Sequence, residues 1–398
     1  MSRVTVVVND RPGGSETFLA SFARALVDIG HDVTLLALRP SGRAHADLGR
    51  RVRLADGLPP MRSWSGPRAA VELGRRHPRA VYSAVARGRR SSTRGGRSIR
   101  AAALAAPILA TEPDVVHFSF SGIAVSFEPT FDLLTGCRLV TSCRGSAELV
   151  QPLIDPERRA ALGRVLPRLD AVHVVSVAMA AAVVDLGANL ERIGVVRPAV
   201  DLDLFPYGAG PPRDDGALRL VAVGRLTPLK GHDDLLAALA RLRRGGLDVR
   251  LTIVGGGPHR DALLARAHLL GVADHVDLRG PQPPGGVIDA LRAADLFVTA
   301  SLSEGISNAV LEAMAIGIPV VVTDVGGTHE VVTDGRDGVV VPAGDPCRLA
   351  EAVASLAHDP AGRAELARAG RARVEASFSL PHQRAEWGAF YADLVSAR

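Results

Sequence analysis

Aromatic residues make up only 4% of the 398-residue chain, alongside 3 cysteines, 4 methionines and 2 tryptophans. With so few rings, the core must be built from Val, Leu and Ala, which suits buried parallel strands covered by helices. The scarcity also argues against a nucleic-acid reader, because no stacking platform or recognition module is legible. Cys137, Cys143 and Cys347 form no CxxC pair and no other metal spacing, so neither a metal site nor a disulfide framework is expected. A reducing compartment is the simplest setting. The longest apolar run, Ala171–Val184, is broken by His173 and Ser176 and is too short to span a bilayer. Val4–Val8 reads as a first strand preceded by Arg3 rather than as a leader, so a cytoplasmic protein is expected. No GxGxxG follows a strand, which weakens a dehydrogenase reading.

Acidic residues are scarce in one stretch. Arg43–Arg100 holds 15 Arg against Asp47, Asp56 and Glu72, a local balance of +12 in a chain of net charge +5. The rest of the chain therefore carries −7. Two readings compete: solvated helix faces in an arginine-rich protein, or a face that meets anionic lipid headgroups or a phosphorylated acceptor. On the second reading Trp64 is the interfacial anchor, and the protein makes peripheral contact with the inner face of a membrane.

What is present is a regular alternation of apolar runs and helical spacing. Val4–Val8 is followed by the turn "NDRPGGSE", then by Phe18, Leu19, Phe22, Leu26 and Ile29 at helical intervals, then by a strand at Val33–Leu38. After the arginine-rich stretch, "PDVVHFSF", "CRLVTSC" and "AVHVVSV" read as buried strands. Pro, Gly and Asp crowd "VVRPAVDLDLFPYGAGPPRDDG", the best boundary in the chain. Beyond it, strands are expected at Leu218–Val223, Val249–Val254, His275–Leu278, Asp295–Thr299, Pro319–Thr323 and Gly338–Val341. The expected fold is α/β, with two Rossmann-like doubly wound parallel-sheet domains facing a cleft. The domains are expected over 1–199 and 217–379, joined by a linker at 200–216. A helix over 380–398 would cross back to the first domain.

Ligands of such sheets bind where strand ends meet helix N-termini, and five strand ends carry candidate residues. Gly13 and Gly14 lie between the first strand and a helix that Ser15 can cap, a backbone suited to an approaching anion or to a simple turn. Arg225 and Lys230 follow the second domain's first strand, and Lys230 is the sole lysine among 47 Lys+Arg. A planar fork and a mobile point charge together suit a diphosphate. Gly255 and Gly256 form a second glycine turn, bordering a ligand or only turning the chain. In the fourth, "SEGISNAVLEAMAIGIPV", Glu304 sits in the loop and Glu312 about one turn inside the next helix, with seven residues between them. Gly305, Ile306, Ser307 and Asn308 offer amides at that helix N-terminus, and Ser307 or Asn308 is its cap. Carboxylates accept hydrogen bonds from hydroxyls, so the pair suits a sugar or a ribose. Dipole partnership for Glu304 and simple exposure for Glu312 explain them equally well. In the fifth, His117 ends a first-domain strand and is a catalytic candidate, although a histidine there is more often a bonded core residue.

The E-x7-E spacing within "SEGISNAVLEAMAIGIPVVVTDVGGTHEVVTDGRDGVVVP" resembles the hallmark of family 4 retaining glycosyltransferases, which have the GT-B fold. "GRLTPLKGHDDLLAAL", "VGGGP", "ADLFVTAS" and the early "GGSETF" are similar to that family in the same order. "SETFLASFARALVDIGHDVTLLAL" is similar to its colanic-acid and exopolysaccharide biosynthesis type. The resemblance is dense from Gly224 to Pro342 and weak across Arg43–Arg100. It implies that Arg225 and Lys230 hold the donor's diphosphate and stabilise its departure, replacing a metal ion. Gly14 would approach the phosphate, Glu304 would face the donor sugar with the 305–308 amides alongside, and Glu312 would bind the ribose.

Two departures from the family pattern stand out. Its H-x-H pair appears as His117 and Ser119, and its histidine-glycine as Arg144-Gly145, which puts a cation on the acceptor side. The implied protein is a hexosyltransferase using a UDP- or GDP-sugar and needing no further cofactor. Its acceptor would be a saccharide, lipid-linked or small molecule. With no nucleophile among the assigned carboxylates, front-face substitution fits better than double displacement. The alternatives are a nucleotide-sugar epimerase of similar layout and a non-catalytic sugar-nucleotide-binding subunit.

Overall fold

The computed structural model describes residues 1–10, 17–39, 52–56, 95–208 and 216–396. Gly13, Gly14, Ser15, Trp64 and most of Arg43–Arg100 lie outside them. Two compact units are present, one of Met1–Val196 with Arg384–Arg398 and one of Arg197–Gln383.

Seven strands build the first unit's sheet: β1 (Arg3–Asp10), β2 (Asp32–Arg39), β3 (Val52–Asp56), β4 (Val115–Phe118), β5 (Arg138–Cys143), β6 (Ala171–Val174) and β7 (Ile193–Val195). Their order is β3-β2-β1-β4-β5-β6-β7, and every pair is parallel. The second unit repeats the plan with β8 (Leu218–Val223), β9 (Val249–Val254), β10 (Val276–Gly280), β11 (Leu296–Val298), β12 (Val320–Asp324) and β13 (Val339–Pro342). Their order is β10-β9-β8-β11-β12-β13, again all parallel.

Successive side chains of a strand point to opposite faces, and here both faces are buried. In β1, Val7 enters one core, with Phe118 and Phe127, while Val4, Val6 and Val8 enter another, with Leu19 and Leu26. In β8 and β11, Leu220, Leu296 and Val298 face one core, while Val221 and Phe297 face the other. Continuous β-branched runs are what such doubly covered strands need. The doubly wound α/β expectation is met in each unit.

Two strands escaped the sequence reading. β3 lies within the arginine-rich stretch and β7 runs into the Pro-rich boundary, and neither shows a run of four consecutive apolar residues. The helix Leu380–Ser396 supplies Trp387, Phe390, Tyr391 and Leu394 to the first unit's core. There Phe390 packs so closely that a β-carbon on Gly194 would fall 2.2 Å from its ring.

Candidate functional site

In each sheet the strand order reverses between the first and fourth strands of that sheet, and ligands of open α/β sheets bind at such switch points. In the second unit this point is the end of β8 beside the end of β11. The loop after β8 carries Arg225 and Lys230, and the loop after β11 carries Glu304.

Close backbone packing brings these loops together. The amide of Leu302 donates to the carbonyl of Leu229 at 2.8 Å. Gly231 has φ +61°, and a β-carbon there would fall 1.8 Å from the Ala300 carbonyl oxygen. Glycine is therefore required, both by the left-handed conformation and by the approach. A third loop supports Glu304 from behind: Gly327 donates to the Gly305 carbonyl at 2.9 Å.

The result is a direct ion pair. Lys230 Nζ donates to Glu304 Oε1, and Ser301 Oγ donates to the same oxygen at 2.8 Å. Glu304 Oε2 has no partner among the described residues. Thr299, Ser301, Glu304, Ser307 and Thr323 line a small pocket at this strand end. Arg225 is exposed and has no carboxylate partner among the described residues. His232, just beyond, is buried, and burial pushes its pKa down to about 4, so it adds no competing charge at neutral pH.

The helix Asn308–Ile316 begins where the Glu304 loop ends. Ser307 holds the cap position with extended backbone, but its side chain caps nothing. The first amides of a helix have no partner inside it, so this N-terminus presents uncapped donors beside Glu304. Glu312, one turn further in, is half-buried and has no hydrogen-bond partner among the described residues. Burial pushes its pKa up to about 7.

Gly255 and Gly256 turn the chain after β9, and the structure gives them packing duties. Gly255 has φ +149°, and a β-carbon there would lie 1.8 Å from the Gly224 carbonyl oxygen. The Gly256 carbonyl accepts from the Leu226 amide at 2.9 Å. The turn thus holds the Arg225 loop in place.

His117 lies in β4, fully buried. Its Nδ1 pairs with Tyr391 Oη and its Nε2 with Ser142 Oγ, both at 2.8 Å. Ser142 Oγ also meets His173 Nδ1 at 2.8 Å, and His173 Nε2 meets the Val196 carbonyl at 2.9 Å. Burial, reinforced by Arg144, pushes the His117 pKa down to about 3. Both ring nitrogens are engaged inside the fold, so as placed His117 offers none to a ligand. The sequence signals for this network, "VHF" and "VHV" in buried strands, were visible, but its partner Tyr391 is 274 residues away.

The family models divide the chain as the sheets do. The model described as "Glycosyltransferase Family 4" matches residues 12–204, and the one described as "Glycosyl transferases group 1" matches 209–373. Both halves of the chain are glycosyltransferase domains. Among curated relatives, the D-inositol 3-phosphate glycosyltransferase of Segniliparus rotundus is 39% identical over 210 residues, which cover 48% of this chain and 46% of that protein. The glycogen synthase of Mycobacterium tuberculosis is 37% identical over 201 residues, covering 48% and 46%. The matches thus span about half the length of these relatives. Among solved structures, Anabaena HepE in complex with UDP and glucose superposes with a TM-score of 0.75 at 19% identity, covering 99% of this chain and 100% of that one. That likeness shows the fold, which is the GT-B type.

Among the described residues, no group of three or more His, Cys, Asp or Glu side chains could hold a metal ion, and no helix is long and apolar enough to cross a membrane.

Proposed function

We propose that this chain is a retaining hexosyltransferase that takes a sugar from a nucleotide-diphosphate donor held in the second unit. The observation that carries this reading is the meeting of the sole lysine with Glu304 at the β8/β11 switch point, beside an uncapped helix N-terminus. In this account Lys230 and Arg225 hold the diphosphate, with the 305–308 amides as further donors. Glu304 accepts from the sugar hydroxyls and Glu312 from the ribose. Gly13 and Gly14 are assigned to the phosphate on the family resemblance alone. HepE, solved with UDP and glucose, favours UDP-glucose as the first donor to try.

The chemistry follows from charge. As the bond from the anomeric carbon to the diphosphate oxygen breaks, negative charge grows on the leaving group. Fixed cations there lower the barrier without reorganising. The acceptor oxygen bonds to the anomeric carbon on the same face, and its proton passes to the departing diphosphate. His117, sealed in its network, is a positioning residue for β4 and β5 in this scheme. The acceptor is a saccharide, free or lipid-linked, and an exopolysaccharide pathway is one setting. Peripheral contact of Arg43–Arg100 with an anionic membrane belongs to the same proposal.

A panel of UDP-, GDP- and dTDP-sugars screened by thermal shift tests the donor reading, since a ligand bound only by the folded state raises its melting temperature. At least one nucleotide sugar should raise it, and no change with any would sink the reading. Conversion of donor with no acceptor present would instead indicate an epimerase.

A further inference from the structure

The first unit has its own switch point, between β1 and β4, and a second unpaired cation lies close to it. Half-buried arginines elsewhere reach a carboxylate, as Arg138 does Asp170, Arg197 Glu330, Arg243 Asp248 and Arg371 Glu375, or a backbone carbonyl, as Arg292, Arg363 and Arg373 do. Arg144, directly after β5, has neither among the described residues. Its guanidinium carbon sits 4.5 Å from the centre of the Phe18 ring, its Nη2 reaches Ser142 Oγ at 3.5 Å, and its buried Nε has no partner.

The nearest carboxylate is already committed. Glu148 accepts from Ser121 Oγ and from the amides of Arg144 and Gly145 at 3.2 and 3.3 Å. It also has Arg158 Nη2 at 4.0 Å. Arg144 and Arg158 against Glu148 leave one positive charge uncompensated. At the end of the neighbouring strand β4, Ser119 Oγ is fully buried and also without a partner. An unpaired half-buried charge and an orphaned hydroxyl are both costly, and an anion that accepts from both would relieve them. The Phe18 ring holds the guanidinium plane, as a fork that grips two oxygens requires.

We propose that the ends of β4 and β5 bind a phosphate monoester, with Arg144 as its principal ligand, and that this group belongs to the acceptor. That the anion sits on an acceptor rests on the glycosyltransferase reading; that an anion binds here does not. The phosphate comes either from a soluble sugar phosphate or from a lipid-borne one.

Orthophosphate binding to the full chain, followed by 31P line broadening, tests the site with Lys230→Ala as the donor-side control. The wild type and Lys230→Ala should bind alike, and Arg144→Gln should weaken binding roughly tenfold or more, as loss of a charge-assisted pair implies. Unchanged binding by Arg144→Gln, or binding abolished by Lys230→Ala, overturns the proposal. Should Arg144→Gln fail to fold, Arg144→Lys keeps the charge but loses the fork, and an affinity equal to wild type then counts against it. Glucose 6-phosphate and phosphatidic-acid vesicles distinguish the sources: Arg144-dependent binding of the first indicates a soluble acceptor, of the second a lipid-borne one, and of neither contradicts the assignment to an acceptor. A chain that binds phosphate through Arg144 but shows no thermal shift with any nucleotide sugar keeps this site and loses the donor reading.

Discussion

Lys230 and Glu304 pair with each other, so a donor that engages both would divide them. A diphosphate would draw the ammonium and a sugar would draw the carboxylate. This gives the two residues distinguishable phenotypes. Lys230→Ala should lower turnover by about 10²–10³, the usual cost of removing one preorganised donor. Glu304→Gln leaves Lys230 without its partner and should bind UDP at least as well as wild type while losing affinity for UDP-glucose. Calorimetry with both ligands separates these outcomes, and equal losses for UDP in the two variants would contradict the division of labour.

Glu312 adds a pH dependence at the same scale. Burial raises its pKa in the folded state to about 7 from an ordinary value of 4.5, so the folded protein holds this proton more tightly than the unfolded chain. That contribution is fully present below about pH 4.5 and is lost as pH rises through about 7. Glu312→Gln should therefore gain stability relative to wild type at pH 8 compared with pH 5, by at most about 3 kcal/mol on the scale of 1.36 kcal/mol per pKa unit. Thermal melts of both proteins at the two pH values check the sign. A difference that does not change with pH would show that the carboxyl titrates normally.

At the scale of elements, the site depends on loops that approach more closely than side chains permit. Gly231→Ala would place a methyl against the Ala300 carbonyl in a left-handed conformation. It should cost on the order of 1–3 kcal/mol in backbone strain alone and displace Lys230. Denaturant midpoints read the first effect, and donor affinity reads the second. The strands holding these loops were legible because buried parallel strands are continuous apolar runs with turns at each end. β8 and β9 have the bounds their sequence pattern indicates, and the helix Asn308–Ile316 ends at Gly317 as expected. What could not be read was whatever depends on distant pairing. The Lys230–Glu304 contact joins loops 74 residues apart, and no periodicity records it. The expected cap at Ser307 is also not made, since capping depends on a side-chain rotamer that residue type alone does not fix. β3 and β7 were missed because their composition carries no run long enough to distinguish a strand from a loop.

At the scale of the whole molecule, two sheets that share a strand order over six strands present their switch points with opposite emphasis. The second pairs a cation with a carboxylate, and the first leaves Arg144 without one. The first unit also depends on the far end of the chain. Trp387 is buried against Phe22 and His173, with ring centroids 4.5 Å from each, and Tyr391 completes the His117 network. Trp387→Ala should destabilise the first unit by about 3–5 kcal/mol, as large-to-small changes of buried aromatics do. Urea unfolding followed by hydrogen exchange should show the loss concentrated in β1, β4 and β6. Uniform loss across both sheets would show that the two units unfold together.

On the proposed function, the end of β8 and the end of β11 together hold a nucleotide sugar. Calorimetric titration of UDP-glucose into wild type, Lys230→Ala and Glu304→Ala tests it most directly, with the nucleotide-sugar panel used first to choose the donor if UDP-glucose gives no heat. Saturable binding to the wild type is expected, with affinity at least tenfold weaker in both variants, each of which still unfolds cooperatively without ligand. Donor binding that survives both substitutions intact would place the nucleotide sugar elsewhere and contradict it.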